Sequence, residues 1–100
     1  MKSENNAYLQ QLQQIVLDYL AGYKIKVYLI GSHAKGLARK TSDVDIALLP
    51  LEFLEPEVIA NLRELLEEST IPYKVDIIDL SNVDYEFRDK VLTGAILWQG

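Results

Sequence analysis

Cysteine is absent from the 100 residues, which excludes a disulfide framework, a thiolate nucleophile and sulfur-ligated zinc. Histidine occurs once, at His33, so a bound metal ion has to be held by oxygen atoms or by that single imidazole. No apolar run approaches the roughly 18 residues that a membrane span needs. The N-terminus is polar (Lys2, Ser3, Glu4, Asn5, Asn6), unlike a secretory signal. The chain is therefore expected to be soluble, unexported and cytoplasmic. Basic side chains are also scarce, ten Lys and Arg against fifteen Asp and Glu, for a net charge of -5. Counterion release from a nucleic-acid backbone needs a clustered excess of Lys and Arg, so stable nucleic-acid binding is not expected.

What remains is enough for one core. A hydrophobic content of 49% and a charged content of 25% are those of a globular protein, and the length fits a single domain over residues 1–100. The charge is unevenly spread. No acidic residue lies between Asp18 and Asp43, whereas Lys24, Lys26, Lys35, Arg39 and Lys40 fall there, a stretch that could hold a small polyanion as well as serve as a solvated loop.

Tyr8, Leu12, Ile15, Val16 and Tyr19 recur at helical spacing from Ser3 to about Gly22. The run 26–30 is β-branched and aromatic and stops at Gly31, as a strand would. In a second strand over 42–49, Asp43, Asp45 and Ala47 share one face and Val44, Ile46 and Leu48 the other, which is assigned to the core. Pro56 can open a helix carrying Val58, Ile59, Leu62, Leu65 and Leu66 and ending near Ser69. Tyr73 to Ile78 alternates as a third strand, Ser81 is placed to cap a helix with Val83, Phe87 and Val91, and Gly94 precedes a short strand over 95–98. The expected architecture is α/β: a small mixed sheet of three to four strands, helices packed mainly on one side, and an active site on the exposed edge of the first two strands.

Chemistry concentrates in two neighbouring runs. Gly31-Ser32-His33-Ala34-Lys35-Gly36 follows a strand, and glycines there let backbone amides approach phosphate oxygens while Ser32 adds a hydroxyl. A bare Gly-Ser pair is more often only a turn. Asp43 and Asp45 are spaced i, i+2 on a strand, so their carboxylates project side by side and repel unless a hard divalent cation lies between them. Asp76 sits inside the apolar run Lys74-Val75-Asp76-Ile77-Ile78, where an unpaired carboxylate is costly, and can complete a three-carboxylate set. Asp79, on the opposite face near the strand end, is the weaker candidate.

Taken in order, Gly31-Ser32-x-Ala34-x-Gly36, Ser42-Asp43-x-Asp45-Ile46-Ala47 and Val75-Asp76-Ile77-Ile78-Asp79 resemble the polymerase-beta-like nucleotidyltransferase superfamily, and within it the minimal nucleotidyltransferase (MNT) proteins encoded beside HEPN-domain partners. The resemblance implies that Asp43, Asp45 and Asp76 ligate two Mg²⁺ ions (Mn²⁺ as the alternative), with Asp76 helping to deprotonate the acceptor hydroxyl. It implies that Gly31 and Ser32 bind the triphosphate of a nucleoside triphosphate, ATP being the expected donor, with Lys35, Gly36 and Ser42 beside it. Lys35 departs from the family, which often has Arg at this position; an ammonium cannot form the bidentate fork of a guanidinium. His33 occupies a variable motif position and is read as a loop contact rather than a base.

Family members of the MNT branch act as antitoxins that adenylylate a tyrosine of a HEPN toxin. With almost no chain after the last strand, the acceptor site here is expected to come from such a partner. Two rival readings remain: an aminoglycoside-type enzyme acting on a small molecule, and a non-catalytic antitoxin that neutralises its partner by contact.

Overall fold

Helical periodicity at the start of the chain becomes helix α1, Ser3–Tyr19, whose Leu12 and Val16, with Leu20 just beyond it, are fully buried. The computed structural model describes residues 3–36 and 43–99, with side chains from Ala7 onward. After a turn at Gly22, strand β1 runs Ile25–Ile30 and gives way at once to a four-residue helix, α2, Gly31–Ala34. Strand β2 is Val44–Pro50. Helix α3, Pro56–Glu67, has proline in its first turn, where no backbone donor is lost. Strand β3 is Val75–Asp79, helix α4 is Tyr85–Leu92 and strand β4 is Ile96–Gln99.

The sheet is four-stranded and mixed, in the order β3-β2-β1-β4. β1 pairs antiparallel with both β2 and β4, whereas β2 and β3 run parallel. Parallel neighbours need a long crossover connection, and α3 supplies it. One face of the sheet carries the main core, in which Val27, Leu29, Val44, Ile46, Leu48 and Ile77 meet Leu12 and Val16 of α1 and Ile59, Leu62 and Leu66 of α3. Burial of each such side chain is worth about 1.5–3 kcal/mol. The Tyr19 hydroxyl donates to the Val58 carbonyl at 2.8 Å, tying α1 to α3. Burial, followed by the nearby Tyr23, pushes the Tyr19 phenol above its ordinary pKa.

Three expectations need correction. The first two strands are the central pair of the sheet, flanked by β3 and β4, so they have no exposed lateral edge; the candidate site lies at their ends. Ala47, assigned to the acidic face, is fully buried, because that face carries a second apolar cluster in which Ile30, Ala47 and Leu80 pack with Val83, Val91 and Leu92. Helix α4 therefore covers the side opposite α1 and α3. Its cap is Asp84, whose carboxylate accepts from Phe87 N at 2.8 Å, rather than Ser81, whose own amide donates to Asp79 at 2.9 Å. Among the described residues no helix is long and apolar enough to cross a membrane.

Candidate active site

The carboxylates gather because of strand register. Asp45 pairs with Ile30 on one side and with Asp76 on the other, and parallel partners project side chains to the same face. Asp43 precedes β2 by one residue and is exposed, while Asp45 and Asp76 are half-buried. The alternation along β2 puts Asp43 on the face of Asp45. All three lie at the end of the sheet where β1 stops and β2 and β3 begin, on the α4 side.

The turn leaving β1 closes against this cluster. Gly31 has φ +74, and a Cβ built on it would sit 2.7 Å from Asp45 Oδ2, a distance that no side chain tolerates. Backbone and carboxylate can approach this closely only because residue 31 is glycine. Lys35 N then donates to Gly31 O at 3.2 Å and Gly36 N to His33 O at 3.4 Å, which folds Gly31 to Gly36 into one tight loop with Ser32 at its start. Gly36 also has positive φ, +72.

Electrostatics show what the cluster lacks. The Asp45 carboxyl is raised above its ordinary pKa, first by burial, then by repulsion from Asp76 and from Asp43, with His33 acting in the opposite sense. Among the described residues no three carboxylate or imidazole groups already stand at the spacing of a closed metal cage. Three like-charged carboxylates on one face nevertheless fit an ion of the Mg²⁺ type, which is held by one or two carboxylates together with waters and substrate phosphate rather than by an all-protein cage. The oxygen-only donor set agrees with that class of ion and disagrees with soft metals.

Asp79 stands apart: it pairs with Leu48 three residues further along β3 and is spent on the Ser81 amide. His33 meets the edge of the Tyr73 ring, with centroids 5.4 Å apart, and Tyr73 in turn meets Tyr8 of α1 at 6.2 Å. This aromatic contact, which braces the loop against α1, was not apparent from sequence; the only hint is Tyr73 standing just ahead of the strand that bears Asp76. Arg39, Lys40 and Ser42 lie outside the described residues.

Comparison with known proteins places the chain in a family. Residues 10–99 match the family model described as polymerase beta, nucleotidyltransferase. The chain is 38% identical over 93 residues to a probable protein adenylyltransferase MntA of Haemophilus influenzae, covering 89% of this chain and 74% of that protein. In fold it resembles a toxin–antitoxin complex solved with AMP-PNP, at a TM-score of 0.69 and 26% identity, over 88% of this chain and 73% of the other. It also resembles the Shewanella oneidensis complex of a tri-AMPylated HEPN toxin with its MNT antitoxin, at a TM-score of 0.66 and 22% identity, over 95% and 71% of the two chains. The chain is a nucleotidyltransferase of the polymerase beta family, related to the MntA protein adenylyltransferases.

Proposed function

We propose that this protein transfers adenylate from ATP to a hydroxyl of a partner protein, a tyrosine of a HEPN toxin, and so acts as the antitoxin of a cytoplasmic pair. The observation that carries the reading is the meeting of Asp45 with Asp76 across β2 and β3, beside a glycine turn packed on the Asp45 carboxylate. Asp43 and Asp45 would hold two Mg²⁺ ions, with Mn²⁺ as a substitute, and Asp76 would share one of them. When bound, such ions neutralise the triphosphate and lower the pKa of a coordinated hydroxyl.

The protein's own contribution is placement. Gly31 and Ser32 would offer amides and a hydroxyl to the triphosphate, with Lys35, Gly36 and Ser42 around it. Asp76, on the β3 side of Asp45, faces the acceptor and receives its proton. The acceptor oxygen bonds to the α-phosphorus as the bond to the β-phosphate oxygen breaks, and pyrophosphate leaves. No side chain is consumed. ATP as donor and a HEPN toxin as acceptor are supported by the AMP-PNP and tri-AMPylated toxin in the two similar complexes. Tyr85 and Phe87 of α4 and Ile96 and Leu97 of β4 are exposed and offer apolar surface for such a partner.

Titration calorimetry tests the nucleotide half. With Mg²⁺, a non-hydrolysable ATP analogue is expected to bind at least about tenfold more tightly than in chelator, since Asp43 and Asp45 otherwise repel the phosphates. Equal affinity in both conditions would remove the metal-bridged account.

A further inference from the structure

We propose that Gly94 is a positioning residue for the nucleotide site, acting by seating the stem of Lys35 against the turn between α4 and β4. The inference rests on Lys35 serving the triphosphate, as set out above. A Cβ built on Gly94 would lie 3.2 Å from Lys35 Cε, 3.5 Å from Cγ and 3.9 Å from Cδ. The lysine stem thus runs along the one place in that turn where no side chain projects. Two anchors hold the pieces together. Lys35 is fixed at its backbone by the hydrogen bond to Gly31 O. The α4 end is fixed because Val91, Leu92 and Ala95 pack on Ile30, the residue immediately before Gly31.

A side chain at position 94 would push the stem aside. Because Lys35 is exposed, the stem gives way at little cost to the fold, and the loss appears in where the ammonium sits. A compact charge on a flexible stem depends on its surroundings for aim, more than a guanidinium fork does. Gly94 has φ +77, so substitution also strains the backbone. Asn tolerates that conformation better than most residues, so G94N is the primary variant and G94A the second. Gly22, with φ +95 and nothing within 4 Å of a built Cβ, provides G22N as the control for backbone strain alone.

The experiment is a double-mutant cycle read by calorimetric affinity for the Mg²⁺ complex of a non-hydrolysable ATP analogue, with thermal midpoints recorded for every variant. Lys35→Ala is expected to weaken binding about tenfold. G94N is expected to weaken it about threefold to fivefold in the native background and by less than about 1.5-fold when Lys35 is Ala, a coupling of the size seen for residues in contact. G22N is expected to lower the midpoint and leave affinity unchanged. Equal loss from G94N in both backgrounds, or none in the native one, would overturn the positioning role while leaving that of Lys35 standing. If Lys35→Ala lowers only the midpoint, the Lys35 stem serves only the packing of the turn between α4 and β4, and both assignments fail. If the native protein does not bind the analogue with Mg²⁺, the fault lies in the nucleotide reading itself.

Discussion

Replacing Asp43 or Asp45 with Asn is expected to lower adenylate transfer by about a thousandfold while leaving the fold intact. Both carboxylates sit at a strand end rather than in the core. Asp45 is held beside Asp76 by register, and its carboxyl is raised by burial and by its acidic neighbours. A raised folded-state pKa means that the folded protein binds this proton more tightly than the unfolded chain. In chelator, Asp45 therefore costs stability above its folded pKa, and that cost disappears as pH falls below the unfolded value. Asp45→Asn removes the cost, so its thermal midpoint at neutral pH in chelator should equal or exceed that of the native protein, and the gap should close on acidification. Transfer assays and thermal melts at several pH values check both halves. A variant that melts far below the native protein without metal would make Asp45 a structural residue and contradict the assignment.

Gly31→Ala is expected to be nearly as damaging, for a different reason. Its Cβ would press on Asp45 Oδ2 at 2.7 Å and its φ is +74, so the backbone pays about 1–2 kcal/mol of left-handed strain and the carboxylate must also move. Displacing a reacting group by about 1 Å can cost about a hundredfold in rate, and a loss of that order is expected in transfer. Gly22→Ala separates the two effects: its φ is +95 with open space around the built Cβ, so it should lose stability in urea and keep its activity. If Gly31→Ala retained full transfer, the packing of the turn on Asp45 would have no bearing on catalysis.

The difference between these two glycines shows where the sequence was legible and where it was not. Alternation along β2 was enough to put Asp43 and Asp45 on one face, because the strand period of two is rigid. An apolar run around Asp76 marked it as a carboxylate needing a reason. The pairing of Asp45 with Asp76, however, depends on parallel register between strands separated by a whole helix, and no local periodicity encodes it. Ala47 misled for a related cause: a small residue on an otherwise acidic face says nothing of a helix arriving from residues 85–92 to cover it. Ser81 lost the capping position to Asp84, which stands three residues further on and directly ahead of the helix, and both types cap well. The His33–Tyr73–Tyr8 contact and the seating of Lys35 on Gly94 join residues far apart in the chain, which only the folded sheet brings together.

Metal-dependent adenylyl transfer to a partner protein leaves a covalent mass on that partner. The protein, Mg²⁺ and ATP are incubated with a HEPN-type toxin, and the intact mass of the toxin is recorded. The toxin is expected to gain one or more adenylate masses with the native protein and none with Asp43→Asn. A toxin that binds tightly yet gains no mass would contradict the proposed transfer and leave neutralisation by contact; ready labelling of a small hydroxylated compound instead would point to the small-molecule enzyme.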